Sequence, residues 1–113
     1  MDCLFCKISR GEIVSKLVFE NERIVAFEDI HPQAPTHIQI IPRKHIPTSL
    51  DIAPEDRELI GEIVQIAAKL ARERGFSEDG FRLVLNTNPA AGQSVYHLHV
   101  HLLGERTFGW PPG

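Results

Sequence analysis

The stretch VYHLHVHLLG, residues 95–104, puts histidine at every second position, His97, His99 and His101, with Leu98, Val100 and Leu102 filling the gaps. Strict alternation is the signature of a strand, because successive side chains point to opposite faces. The three imidazoles should therefore share one face and the three aliphatic residues the other. At about 3.3 Å per residue, neighbouring histidines of the row stand roughly 6.5–7 Å apart at Cα. The apolar face needs a partner layer, and the row belongs on the side away from it.

The rest of the chain supplies that layer. KLVFEN (16–21) and RIVAFED (23–29) are apolar, β-branched and aromatic runs meeting at Asn21-Glu22, which predicts a hairpin. HPQAP (31–35) breaks the chain at Pro32 and Pro35, and THIQIIP (36–42) follows as a strand ended by Pro42. Between Pro54 and Arg74 the period changes. Leu59, Ile60, Ile63, Val64, Ile66, Ala67, Leu70 and Ala71 recur at three- and four-residue steps, giving one apolar helix face. Pro54 suits the first helical position and Gly75 the residue just past the end. FRLVLNTN (81–88) reads as another strand, joined to the histidine stretch through PAAGQS (89–94), and CLFCKISRG (3–11) as a short helix or turn closed by Gly11. The pattern predicts one α+β domain over residues 1–113: a five-stranded antiparallel sheet, one long helix on one face, and a short N-terminal helix.

Composition narrows the function. A chain of 113 residues with 42% hydrophobic and 24% charged residues is an ordinary globular domain with one modest core. A net charge of −3 and no basic stripe argue against nucleic acid as the main partner. No apolar run reaches the length of a membrane span, and the N-terminus lacks a basic region followed by an apolar stretch. The expected location is the reducing cytoplasm, where Cys3 and Cys6 serve better as thiolates than as a disulfide.

The row admits three chemistries. It could be a solvated polar face, a tri-histidine metal site, or a nucleophile with acid–base neighbours. Three histidines at strict spacing beside GQS (92–94) disfavour the first, and spacing alone does not separate the others. The CLFC stretch (3–6) leaves its own question open, since a C-x-x-C can be redox-active, metal-binding or idle. Nothing precedes it that could form the strand of a thioredoxin-like unit, so metal binding is favoured over redox chemistry.

HLHVHLL (97–103) resembles the His-φ-His-φ-His-φ-φ motif (φ apolar) of the histidine-triad family of nucleotide hydrolases and transferases. FCKISRGEI, AFEDIHPQAPTHIQIIPRKHI, GFRLVLNTN, GQSVYHLHVHLLG and the closing WPPG extend the likeness to the Hint branch, the purine nucleoside phosphoramidase-like members. That resemblance covers most of residues 3–113. It implies that His99 attacks the α-phosphorus of a nucleotide and that water later releases the nucleoside monophosphate. His101 would reach a phosphate oxygen, and His37 would contribute to a proton relay. Gly92, Gln93 and Ser94 would supply a close backbone approach, an amide and a hydroxyl to the phosphate. Phe5, Ile8, Phe27 and Ile30 match positions that enclose the base, although such apolar residues also suit a core. Asp29 matches a carboxylate that pairs with ribose hydroxyls, and Asn86 a polar position near the phosphate. His31 departs from the pattern, which commonly has a small hydroxyl residue there.

The resemblance also implies a structural zinc held by Cys3, Cys6, His45 and His97, with no redox cofactor and no catalytic metal. It further implies a homodimer with two sheets joined into one, and a C-terminal segment that reaches toward the partner's site. The expected substrate is a purine nucleoside phosphoramidate. A dinucleoside polyphosphate hydrolase and a non-enzymatic nucleotide- or partner-binding protein are the alternatives.

Overall fold

A computed structural model describes residues 3–113. In chain order the elements are α1 (Leu4–Ser9), β1 (Leu17–Glu20), β2 (Ile24–Glu28), β3 (Thr36–Pro42), α2 (Arg57–Glu73), β4 (Phe81–Val84) and β5 (Val100–Gly104). Single 3-10 turns lie at Ser49–Asp51, Pro54–Asp56 and Pro89–Ala91. The five strands form one antiparallel sheet in the order β1-β2-β3-β5-β4. None of the described helices is long and apolar enough to cross a membrane.

Local chemistry explains the boundaries. In the β1-β2 turn the Asn21 side-chain oxygen accepts from the N–H groups of Arg23 and Ile24 at 2.9 and 2.8 Å, folding the chain back on itself. Pro54 opens a 3-10 turn that leads into α2, and the Asp56 carboxylate accepts from the Ala53 N–H and pairs with Lys44. Gly75 ends the helix at φ +84°. The Gly75 N–H returns to the Arg72 carbonyl and the Phe76 N–H to that of Ala71, satisfying two otherwise orphaned acceptors.

The two faces of the sheet do different work. On one, Leu59, Ile63, Ile66 and Leu70 of α2 bury themselves against Ile24, Ile38, Ile40, Leu98, Val100 and Leu102. On the other, Phe5 and Ile8 of α1 cover Val25, Phe27 and Ile41. The histidine row lies on this second side, away from α2 as expected. It is not solvated, since His97 is fully buried and His99 nearly so. Val64 departs from the expected apolar face. At 100° per residue it sits well round from Ile63 and remains half exposed.

The last two strands are shorter than the sequence implies. β5 begins at Val100, and His97–His99 lie outside the ladder. Pro42 ends β3 and has no N–H to offer, so the pairing lapses beyond Ile40↔Val100 and the Leu98 N–H turns to the Ile46 carbonyl at 2.6 Å. β4 stops at Val84, its last residue paired with β5.

Gly104 marks the tightest packing. A Cβ there would stand 2.4 Å from Cε1 of the buried Phe76 ring, whereas one on Gly109 meets nothing within 4 Å. Gly104→Ala is expected to lower stability by about 1–3 kcal/mol, as overpacking does. Gly109→Ala should stay within about 0.5 kcal/mol of the parent. Urea unfolding of the two variants side by side checks this.

Candidate active site

Hydrogen bonds assign a proton to one nitrogen of each histidine in the row. His97 donates through Nε2 to the Pro42 carbonyl at 2.7 Å, leaving a lone pair on Nδ1. His99 donates through Nδ1 to the His97 carbonyl at 2.7 Å, leaving the lone pair on Nε2. His37 accepts at Nδ1 from the Gln33 N–H at 3.0 Å, so its Nε2 carries the proton and donates to His101 Nδ1 at 2.8 Å. The His101 Nε2–H is then an outward donor. Of these orienting groups, the Pro42 carbonyl and the Gln33 N–H were not read from the sequence, because they act through backbone atoms that no motif displays.

Burial keeps the relay neutral. Burial, with help from the adjacent His99 and His37 rings, holds the His101 imidazole down to about 4. Burial also lowers His37, against an upward pull from Asp29. Burial by itself would raise the Asp29 carboxyl. The His31 N–H, the His37 ring and the Gln39 amide outweigh it and hold that group below its ordinary value.

A cleft of about 830 Å³ opens beside the row. Of the residues expected around a nucleoside, Phe5, Ile8, Phe27, Asp29, Ile30 and Ser94 line it. Phe5 joins cleft to row, its ring 5.4 Å from Phe27 and 5.1 Å from His99, both edge-on. Ile30 is 86% exposed at the rim, an apolar side chain with no protein neighbour to cover it. Ser94 is exposed, and Gly92 carries φ +90° in the preceding loop. His31 lines the cleft too, its N–H engaged by Asp29 Oδ1 at 2.7 Å.

Of the residues expected around the nucleotide, Asn86, Gly92, Gln93, His99 and His101 lie outside the cleft lining. Gln93 offers no free amide: its side chain accepts from the Asn88 N–H and donates to the Pro47 and Val95 carbonyls, and its own N–H bonds the Asn88 carbonyl. It shapes the loop instead of presenting a donor. Asn86 lies half-buried beyond β4 and outside the cleft lining. Gln39, not anticipated, lines the cleft and donates to Asp29 Oδ2 at 2.8 Å. The alternation His37-Gln39-Ile41 within THIQIIP could have placed it on the imidazole face.

Cys3, Cys6, His45 and His97 converge at the start of α1. Cys3 caps that helix, its Sγ accepting from the Cys6 N–H. The His97 Nδ1 lies 3.3 Å from Cys3 Sγ, 3.5 Å from Cys6 Sγ and 3.2 Å from His45 Nδ1. Cys6 Sγ and His45 Nδ1 are 3.4 Å apart. Zinc bonds of about 2.3 Å to sulfur and about 2.0 Å to nitrogen imply tetrahedral edges of roughly 3.5 Å between S and N and roughly 3.3 Å between N and N. The four donors fit that tetrahedron, and the Pro42 carbonyl supplies the second hydrogen bond that orients a ligating imidazole.

A model of the HIT domain matches residues 10–108. The purine nucleoside phosphoramidase of Escherichia coli (strain K12) is 49% identical over 108 residues, 96% of this chain and 91% of that protein. The 14 kDa zinc-binding protein of Zea mays is 50% identical over 112 residues, 97% of this chain and 87% of that one. The crystal structure of a HIT family hydrolase from Legionella pneumophila Philadelphia 1 superposes with a TM-score of 0.97 at 56% identity, covering 99% of this chain and all of that one. The chain belongs to the HIT domain family.

The neutral relay sets a pH dependence. A ring neutral in the fold leaves only the unfolded chain to take up protons below the ordinary histidine value of about 6.5, so acid favours unfolding. Stability is therefore full above about pH 6.5 and declines toward the folded value of about 4 for His101. His101→Gln should flatten that decline in urea unfolding measured from about pH 4 to 7; an unaltered slope would show that the ring is not held neutral.

Proposed function

We propose that this HIT-family hydrolase cleaves purine nucleoside phosphoramidates, with His99 as nucleophile. The observation that carries the reading is the His99 Nδ1–H bond to the His97 carbonyl, which leaves Nε2 unprotonated on a ring that stands edge-on to Phe5 of the cleft wall. With the base against Phe5, Ile8, Phe27 and Ile30 and the ribose at Asp29, the α-phosphorus lies over the row. Nε2 forms a bond to phosphorus as the P–N bond breaks, and the amine departs with a proton taken from solvent, to which the water of the second step returns one. The imidazolium charge that develops on His99 is met by the His97 carbonyl. The His101 Nε2–H, backed by His37, donates to a non-bridging oxygen, with Ser94 as a further donor. Water then attacks phosphorus, Nε2 leaves, and the nucleoside monophosphate is released.

A zinc ion in the Cys3, Cys6, His45, His97 cluster would be structural. Four protein donors close the coordination sphere, so its chemistry is to bind thiolates and tie α1 to the sheet. Burial and the neighbouring Cys3 raise the Cys6 thiol, so a cation is needed to hold it as thiolate. The reducing cytoplasm is the compartment that keeps both cysteines available. A homodimer would extend the sheet through one of its free edges, β1 or β4.

Two experiments test this reading. Incubation with an adenosine phosphoramidate should yield, by rapid-quench intact mass measurement, a transient adenylyl adduct. His99→Ala should lose that adduct and at least about a thousandfold in kcat while unfolding at the parent's denaturant midpoint. Retained turnover in His99→Ala would remove the nucleophile. Separately, elemental analysis should find one zinc per chain, and Cys6→Ser should lose most of it with a fall in Tm; equal zinc in both proteins would exclude the cluster as the site.

A further inference from the structure

Gln39 stands in the middle of β3 on the imidazole face, with Phe27 of β2 as its partner on one side and His101 of β5 on the other. These three side chains make one row across the sheet, each strand roughly 4.8 Å from the next. Read across, the row is an aromatic ring, an amide and an imidazole, the order of base, sugar and phosphate in a nucleotide laid over it. The orientation of the amide is settled by its neighbour. Nε2 donates to Asp29 Oδ2 at 2.8 Å, and an ionised carboxylate only accepts. Oε1 is therefore the remaining acceptor, and it is buried without a hydrogen-bond partner among the described residues. Unpaired buried acceptors are few in folded proteins because each is costly.

We propose that Gln39 is a sugar-recognising residue, whose Oε1 accepts a hydrogen bond from one of the two vicinal hydroxyls of ribose while Asp29 accepts from the other. The proposal rests on the nucleotide reading above and adds to it a basis for choosing ribonucleotides over deoxyribonucleotides. The Asp29 carboxylate and the Gln39 carbonyl are both acceptors on residues that line the cleft, and a vicinal diol brings two donors. A sugar missing one hydroxyl leaves one acceptor buried and unpaired, and discrimination built on hydrogen bonding exceeds what an apolar pocket gives. Asp29 Oδ1 is tied to the His31 N–H and Oδ2 to Gln39, so the two acceptors are held in a fixed relation before ligand arrives.

The experiment compares adenosine phosphoramidate with its 2′-deoxy and 3′-deoxy analogues on the parent, Gln39→Leu and Asp29→Ala. Gln39→Leu is expected to lower kcat/KM for the ribose substrate roughly 5- to 30-fold, the span of one hydrogen bond, chiefly through KM. With one deoxy analogue the same variant should match the parent within about twofold, because the bond it lost was already absent. Asp29→Ala should lose its sensitivity to the other hydroxyl. A common loss on all three substrates, or no loss on any, would overturn the proposal. So would the two variants becoming blind to the same hydroxyl, which would make Gln39 only a support for Asp29. Calorimetric titration with AMP and its two deoxy forms repeats the comparison without turnover. Hydroxyl-dependent binding in a protein that cleaves no phosphoramidate would sink the hydrolase reading and leave this one standing.

Discussion

The bond from His99 Nδ1 to the carbonyl of His97 governs what the site can do. Imidazole is nucleophilic only at a nitrogen without a proton, and this carbonyl decides which nitrogen that is. The carbonyl can take that role because His97 is itself fixed, its Nε2 bonded to Pro42 and its ring fully buried. One backbone oxygen, that of Pro42, thus orients His97, and the oxygen of His97 orients His99. The alternation that looked like a strand pattern is an arrangement in which main chain sets His97 from across the sheet and His99 from two residues away, while the His37 side chain sets His101.

Much of the architecture was legible because it is written in local periodicity. The α2 stripe, the Asn21 turn, Gly75 and the Pro42 stop each follow from residues within a few positions of one another. The start of β5 was not legible, since it depends on the missing N–H of Pro42 and the distant carbonyl of Ile46. The site divides in the same way. Phe5, Phe27 and Asp29, expected from the family likeness, line one cleft. Gln93, also expected, does not, because the carbonyl it reaches belongs to Pro47, 46 residues away in sequence. Gln39 was hidden by its ordinariness: a polar residue on a strand says nothing until its neighbours are known.

The donor cluster and the cleft share a support. α1 is only six residues long and could not hold its shape alone, yet it carries Cys6 into the donor cluster and Phe5 and Ile8 into the cleft wall. Cys3 caps the same helix. Whatever fixes the sulfurs therefore fixes the aromatic ring that lies edge-on to His99 and Phe27. Donor cluster and cleft wall meet in one short segment, while the His99 ring is held by the main-chain oxygen of His97.

That division of labour makes the wall an exchangeable part. Sequence drift in α1 can reshape the hollow that Phe5 and Ile8 line without removing the main-chain acceptor that sets the protonated nitrogen of His99. Selection and engineering alike gain a handle there, on a peripheral turn of chain that reshapes the cleft, while the bond that fixes the His99 tautomer lies outside it.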